Sequence, residues 1–206
     1  MELISKPWLL RRRCRIVAGK KVIGVLALQG AFREHQAAIE RCGATAKKVR
    51  TREDIQKADA LIIPGGESTT MGRLLESYDL GHTIVERSRA GMPIFGTCAG
   101  MIVMAREIPG YQQYSLGIMD ISVRRNAFGR QLDSFEAELD IRNISDRVKG
   151  VFIRAPFIDR IWGETEVLCE YMGKTVMARE NNLLTVSFHP ELTEDLTIHR
   201  YFLSMI

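Results

Sequence analysis

The stretch Pro93-Ile-Phe-Gly-Thr-Cys-Ala-Gly-Met101 decides how the rest of the chain is interpreted. Its apolar start indicates a buried strand that ends at Phe95, and Ala99–Arg106 has the composition of a helix. A glycine stands two residues away on each side of Cys98, which is the pattern of a tight strand-to-helix turn around a nucleophile. Glycine suits such a turn because it adds no Cβ where backbone segments crowd together.

The predicted position of Cys98 at the start of a helix gives its thiol two chemical advantages. Unpaired backbone N–H groups and the positive end of the helix dipole stabilise a thiolate there. The backbone N–H of Ala99 also points to where an oxyanion would form. Cys98 is therefore a candidate nucleophile, and the alternative is a buried structural cysteine, the commoner fate of an unpaired thiol.

Length and charge indicate one globular domain behind a basic extension. The 206 residues are 46% hydrophobic, enough for one sizeable core, and no apolar run approaches the roughly 18 residues of a membrane span. Residues 1–21 carry a net charge of +6, which leaves −2 of the total of +4 for residues 22–206. We expect residues 1–21 to lie outside a single domain of residues 22–206 that binds neither nucleic acid nor membrane.

The cysteines are too dispersed for a zinc site or a disulfide framework. They show no C-x-x-C spacing and no neighbouring histidine. We therefore expect reduced thiols in a cytoplasmic protein, with no metal and no other cofactor. The four cysteines are Cys14, Cys42, Cys98 and Cys169.

The first hundred residues alternate apolar runs with helix-like segments. Val22–Leu28 and Ala60–Ile63 are apolar throughout, as expected for parallel strands covered on both faces. Ala31–Cys42 has the composition of a helix, and Thr51–Asp54 resembles a helix-capping sequence. This alternation predicts an α/β fold with a mostly parallel sheet.

A second glycine-containing turn follows the strand Ala60–Ile63. It reads Pro64-Gly-Gly-Glu-Ser-Thr-Thr70, and helical composition follows at Met71–Glu76. Paired glycines at a strand's carboxyl end let backbone N–H groups approach a ligand, and open α/β sheets bind ligands at that edge. Because Cys98 follows the next strand, the two turns are expected to share one crevice. An ordinary loop remains the alternative, and a Walker loop is excluded because this turn contains no G-K-[ST].

After residue 110 the pattern changes to short alternating strands. Met172-Gly-Lys174 has the composition of a hairpin turn, and the whole region is typical of an antiparallel extension of the sheet. The predicted strands are Leu116–Val123, Ser134–Ile141, Gly150–Ile153, Glu166–Tyr171 and Thr175–Ala178.

Two arginines border apolar runs in this region. The guanidinium groups of Arg125 and Arg154 offer a fork of donors that suits a carboxylate. Each is therefore a candidate ligand contact, although most arginines in proteins are simply solvated.

The last apolar strand, Leu183–Phe188, leads into His189-Pro-Glu191 and a predicted final helix, Thr193–Ile206. A thiol nucleophile needs a base, and the base needs an orienting group. We expect Cys98 to attack, His189 to relay the proton, and Glu191 to hold the imidazole and stabilise its cation. The other histidines have ordinary surface or core interpretations, and these are His35, His82 and His199.

Three of these stretches together resemble a known enzyme class. Pro64-Gly-Gly-Glu-Ser, Gly96-Thr-Cys-Ala-Gly and Ser187-Phe-His-Pro-Glu, in this order and spacing, are similar to the class I, or triad-type, glutamine amidotransferases. Within that class the chain resembles the family of glutaminase subunits of pyridoxal 5′-phosphate synthase over about residues 22–206. The stretches that carry this narrower resemblance are Leu28–His35, Asn126–Glu136, Phe152–Pro156 and His189–Asp195.

The resemblance implies a fold, a reaction and a partner. The fold is a three-layer, doubly wound, flavodoxin-like α/β arrangement, and the reaction is hydrolysis of L-glutamine to L-glutamate and ammonia. The ammonia passes to a separate synthase subunit, which activates the glutaminase and builds pyridoxal 5′-phosphate. Cys98, His189 and Glu191 would be catalytic, and backbone N–H groups of Gly66 and Ala99 would form the oxyanion hole. The implied glutamine contacts are Gly66, Glu67, Ser68, Arg125, Ile153 and Arg154.

Two other interpretations stay open on the sequence alone. A cysteine hydrolase or peptidase could use the same turn, and it would cleave peptides or esters. A non-catalytic interaction subunit could keep the scaffold, but it would be expected to lose a triad member, and all three are present.

Overall fold

The computed structural model describes residues 21–125 and 134–206. Residues 1–20, which make up nearly all of the predicted basic extension, lie outside the described residues, as does 126–133 of the stretch Asn126–Glu136. Within the described ranges, no helix combines the length and the apolar character needed to cross a membrane.

Strands and helices alternate in the first half of the chain, and strands predominate in the second. The strands are β1 (Val22–Leu26), β2 (Thr45–Val49), β3 (Ala60–Ile63), β4 (Ile94–Thr97), β5 (Ala105–Glu107), β6 (Met119–Arg124), β7 (Ser134–Leu139), β8 (Val148–Ile153), β9 (Phe157–Ile161), β10 (Thr165–Tyr171), β11 (Lys174–Glu180) and β12 (Leu183–Val186). The helices are α1 (Phe32–Arg41), α2 (Arg52–Lys57), α3 (Ser68–Ser77), α4 (Gly81–Arg89), α5 (Ala99–Met104) and α6 (Thr197–Leu203), with a 3₁₀ turn at Pro190–Leu192.

The main sheet has a parallel half and a largely antiparallel half. Its order is β2-β1-β3-β4-β12-β11-β9-β6-β5, with β10 paired to β11. The pairs from β2 to β12 are parallel, whereas those joining β12, β11, β9 and β6 are antiparallel. This confirms the predicted α/β class. It also places the carboxyl ends of β3, β4 and β12 side by side, the position where such sheets bind ligands.

Both faces of the parallel half are covered, which gives three layers. Leu61 and Ile63 of β3 pack into a core with residues of α3, α4 and α5. Ile62, between them, packs into the opposite core with residues of α1 and α6. The alternation follows from the period of a strand, whose successive side chains point to opposite faces.

Several predicted helix boundaries were wrong. The helix predicted from Met71 begins at Ser68, and the last helix ends at Leu203 rather than Ile206. The helix after Cys98 ends at Met104 rather than Arg106, because Ala105–Glu107 pairs in parallel with β6. The last helix begins at Thr197 rather than Thr193, since the polar residues before it form a turn of their own. In that turn the backbone N–H of Thr197 donates to a carboxylate oxygen of Asp195 at 2.8 Å.

One predicted sheet connection was also wrong. β7 and β8 form a separate two-stranded antiparallel sheet instead of joining the extension of the main sheet. Their apolar side chains pack over the core of α1 and α6, with Phe135 and Phe152 stacked at 4.7 Å between ring centroids. The backbone N–H of His189 donates to the carbonyl of Val151 in β8 at 2.8 Å. This bond holds the end of β8 beside the carboxyl end of β12.

Candidate active site

Cys98 occupies a tight turn between β4 and α5. Its backbone has φ 49° and ψ −102°, a conformation that non-glycine residues rarely adopt, and its N–H donates to the carbonyl of Val186 at 2.8 Å. A Cβ at Gly100 would collide with the backbone carbonyl of Ile63. The predicted turn geometry is therefore confirmed, and the close approach of β3 requires glycine at position 100.

His189 and Glu191 follow the end of β12; His189 lines the same cavity as Cys98, and Glu191 contacts the His189 ring. All three residues are less than a tenth exposed. His189 Nδ1 lies 2.8 Å from Glu191 Oε1, and the same ring lines one cavity with Cys98 and interacts with it electrostatically. With Nδ1 held by the carboxylate, Nε2 is the nitrogen left for the sulfur. This is the order of groups that nucleophilic catalysis by a thiol requires.

The electrostatics favour a charged imidazole. Burial opposes the cation, but the interactions of the ring with Cys98 and with the Glu191 carboxylate raise the pKa of His189 to about 10. Burial also opposes ionisation of Glu191, yet the neighbouring His35 and His189 keep the pKa of this carboxyl below its usual value. At neutral pH the ring is therefore a cation held between a sulfur and a carboxylate.

The Gly65-Gly66 turn after β3 lies directly against this group. A Cβ at Gly65 would collide with the His189 ring, so only glycine permits the contact. Gln29, after β1, fixes the turn from the other side, because its Nε2 donates to the carbonyl of Glu67 at 2.7 Å. Its Oε1 accepts from the backbone N–H of Glu67 at 3.2 Å. No sequence pattern had indicated this role for Gln29.

The Glu67 carboxylate caps helix α3. It accepts the backbone N–H groups of Thr69 at 3.0 Å and Thr70 at 2.7 Å, and the Thr70 hydroxyl at 2.7 Å. Burial opposes its charge, but these hydrogen bonds from Thr70 and Thr69 lower the pKa of Glu67 to about 2. The same carboxylate lies 3.5 Å from the Arg125 guanidinium, which stacks over the Tyr111 ring at 4.6 Å.

These groups surround one cavity of about 390 Å³, a size typical of small-molecule sites. Every predicted glutamine contact lines it, whereas Glu191 lies behind His189 and outside the lining. Ile102 and Pro156 also line the cavity and were not among the residues predicted from sequence. The lining residues are Gly66, Glu67, Ser68, Cys98, Ala99, Ile102, Arg125, Ile153, Arg154, Pro156 and His189.

Comparison with known protein families identifies the family of this chain. The SNO glutamine amidotransferase family matches residues 25–206. The chain belongs to this family. The membership confirms the resemblance that was recognised from three short stretches of sequence.

Individual relatives agree with the family. A pyridoxal 5′-phosphate synthase subunit PdxT of Pelotomaculum thermopropionicum is 56% identical over 88% of this chain and 93% of the relative. A protein of the same name from Desulforamulus reducens is 51% identical over 90% of this chain and 99% of the relative. The fold also matches a crystal structure of a glutamine amidotransferase that is 48% identical in sequence. The match covers 89% of this chain and 97% of the chain in that crystal structure, with a TM-score of 0.86.

Two histidines for which the sequence indicated only ordinary roles lie behind the candidate active site. His35 of α1 and His199 of α6 are both fully buried, and their rings meet at 3.0 Å between Nδ1 and Nε2. His35 Nε2 lies 3.1 Å from Thr97 Oγ1 and 3.4 Å from Glu191 Oε2. The only sequence signal for the burial of His35 is its helical spacing from Ala38 and Ile39, which places all three residues on the inward face of α1.

No metal centre accompanies the site in the described part of the chain. Within residues 21–125 and 134–206, no three His, Cys, Asp or Glu side chains are grouped to hold a metal ion.

Proposed function

We propose that the chain is the glutaminase subunit of a pyridoxal 5′-phosphate synthase. It hydrolyses L-glutamine to L-glutamate and ammonia and supplies the ammonia to a separate synthase subunit. The observation that carries the proposal is the His189 ring, held 2.8 Å from Glu191 and lining a cavity of about 390 Å³ together with Cys98. Family membership and the names of the relatives support the choice of substrate and partner.

The chemistry is acyl transfer through the Cys98 sulfur. The thiolate attacks the side-chain amide carbon of glutamine, and the backbone N–H groups of Gly66 and Ala99 hold the resulting oxyanion. The His189 cation gives its proton to the departing nitrogen, so ammonia leaves and a thioester remains. Neutral His189 then takes a proton from water, which attacks the thioester and releases glutamate. Glu191 keeps the ring oriented and stabilises its cation in both halves of the cycle.

Glutamine recognition falls to the rest of the lining. The guanidinium groups of Arg125 and Arg154 suit the α-carboxylate, which accepts paired hydrogen bonds in one plane. Ser68 adds a hydroxyl, and Ile153 contributes an apolar wall. Glu67 is expected to act through its backbone and through Arg125, because its carboxylate is occupied by the cap of α3.

The synthase subunit is expected to activate this site. Loss of one oxyanion donor typically lowers a rate by about 10²–10³-fold, so a small displacement of the Gly65-Gly66 turn would switch activity. We therefore expect the isolated chain to be a weak glutaminase.

The proposal also covers domain organisation and location. It includes a single domain at residues 22–206, a basic extension at 1–21 and a cytoplasmic location. The free thiols of Cys42, Cys98 and Cys169 support the cytoplasmic location.

The test is ammonia release from L-glutamine, measured with and without the synthase subunit. Cys98→Ala should abolish release and leave the fold unchanged. Cys169→Ala is the matched control, because burial raises the pKa of that thiol to about 11 and keeps it an inert proton-bearing group. Turnover that is equal with and without the partner would contradict the activation. Activity of Cys98→Ala near that of the unchanged protein would remove Cys98 from the mechanism.

A further inference from the structure

We propose that His35 is a positioning residue for Glu191, and that it extends the triad to a fourth side chain in the core; this inference rests on the proposed glutaminase function. His35 belongs to α1, far from the catalytic residues in sequence, and does not line the cavity. Its effect would therefore pass through the carboxylate rather than through contact with glutamine.

The case begins with a fully buried carboxylate oxygen. Glu191 uses Oε1 for His189, but its Oε2 is inaccessible to solvent and makes no conventional hydrogen bond to any described residue. Buried charged oxygens are rarely left without a donor. His35 Nε2 lies 3.4 Å from this oxygen, and both side chains are 0% exposed. The imidazole N–H is thus placed to complete the solvation of the carboxylate.

Hydrogen-bond roles in the cluster select one tautomer of His35. A carboxylate can only accept, so the nitrogen facing Glu191 must carry the proton. His35 Nε2–H is then shared between Glu191 Oε2 and Thr97 Oγ1, at 3.4 and 3.1 Å. His35 Nδ1 accepts from His199 Nε2–H at 3.0 Å. Each hydrogen bond in this series, from His199 of α6 through His35 to the Glu191 carboxylate, then has one donor and one acceptor.

The charges of the surrounding groups agree with a neutral ring. Burial lowers the pKa of His35, against the attraction of Glu191. Burial, with the nearby His35, also lowers the pKa of His199 to about 3. Both rings are therefore neutral near pH 7, and the cation of the site is confined to His189. The titratable groups that act on this pair of rings are Glu34, Arg41, His189, Glu191 and Asp195.

A contact to Thr97 links the same ring to the nucleophile turn. Thr97 is the residue before Cys98 and is itself fully buried. His35 thereby holds together the carboxylate that orients the base and the strand that presents the sulfur. A histidine that only filled the core would not need to bond to both.

The experiment compares three variants in the complete complex with the synthase subunit. His35→Phe keeps the ring and removes both nitrogens, whereas His35→Gln restores an amide N–H near the position of Nε2. His199→Phe removes an equally buried imidazole that is one bond further from Glu191. For each variant, kcat and KM for glutamine hydrolysis are measured from acid to alkaline pH, together with the melting temperature.

We expect His35→Phe to lower kcat about tenfold, as for loss of one hydrogen bond to a charged group, with KM unchanged. The acid limb of its profile should move to higher pH, because Glu191 becomes easier to protonate. His35→Gln should recover most of kcat, and His199→Phe should have a smaller effect. Wild-type kcat in His35→Phe would overturn the inference. An equal loss of kcat in His35→Phe and His199→Phe, with the acid limb unmoved, would also overturn the inference, because His35 would then act only through packing.

A measurement on the unchanged protein keeps the inference testable even if a variant does not fold. Ring-nitrogen NMR of the ¹⁵N-histidine-labelled chain should show His35 as a neutral Nε2–H tautomer. An Nδ1–H tautomer or a cation would refute the proposed bond. The proposed function fails separately, since unchanged protein with its partner would then release no ammonia from glutamine.

Discussion

Replacement of Glu191 by glutamine tests the electrostatic design of the site most directly. The change keeps the shape of the side chain but removes the anion that lies 2.8 Å from His189 Nδ1. The hydrogen bond and the charge of Glu191 are among the causes that raise the pKa of His189 to about 10. Glu191→Gln should therefore lower the pKa of His189 towards the ordinary histidine value of about 6.5, against the interaction with Cys98 that still raises it.

The size of the effect follows from the fraction of charged rings. With a pKa of about 10, essentially every ring is a cation at pH 7.5, whereas with a pKa of about 6.5 roughly one in eleven is. The loss of charge therefore lowers kcat/KM by up to about tenfold at pH 7.5, and poorer orientation of the imidazole should extend the loss to about 10²–10³-fold. Acidification to pH 6 should recover up to about eightfold in the variant, because with a pKa of about 6.5 the charged fraction rises to roughly three quarters.

The assay is the initial rate of ammonia release between pH 5.5 and 9, with saturating synthase subunit. Glu194→Gln is the matched control, since its carboxylate is 94% exposed and pairs with Arg41 at the surface. That variant should stay within about twofold of the unchanged protein, as expected of a surface ion pair. A large loss in Glu191→Gln that is the same at every pH would refute the electrostatic reasoning. An unchanged rate would refute any role for the carboxylate.

Two further predictions concern the turns that frame the cavity. Glu67→Ala removes three hydrogen bonds at the start of α3 and should lower the free energy of unfolding by about 1–2 kcal/mol in thermal melts. Glu67→Gln should keep most of that stability yet raise KM for glutamine, because Arg125 loses its charged partner; equal KM values would contradict this. Gly100→Ala should abolish ammonia release, because its Cβ meets the Ile63 carbonyl. Gly43→Ala, surrounded by open space, should cost only the strain of its positive φ, about 1–2 kcal/mol, and keep activity.

Local sequence patterns predicted the structure correctly where a single turn determines the backbone geometry. The Thr51–Asp54 capping box is present with both of its hydrogen bonds, and Met172-Gly173 forms the predicted hairpin turn with positive φ at both residues. The turn around Cys98 was predictable for the same reason. Its shape is imposed by neighbours two residues away, and those neighbours are glycines.

Sequence patterns did not predict the structure where a segment packs or pairs with residues far away in the sequence. Ala99–Met104 is buried on every side, so its apolar run gave no indication of where the helix stops and β5 begins. The alternating pattern of β7 showed which face is buried, but not that β8 alone would pair with it. The meeting of His35 with Glu191 is the extreme case, because it depends on how α1 packs across the whole parallel sheet.

The topology explains why the remote contact and the nearby ones meet at one place. β4 and β12 are parallel neighbours, so Cys98 and His189 leave the sheet at the same edge, and β3 brings the Gly65-Gly66 turn beside them. Helix α1 follows β1, two strands away, and covers the same edge from one face. The side chains proposed to do the chemistry therefore follow strand ends, whereas His35, proposed to position the carboxylate, belongs to a helix. A change in the packing of α1 would consequently reach the reaction through Glu191 before it altered the binding of glutamine.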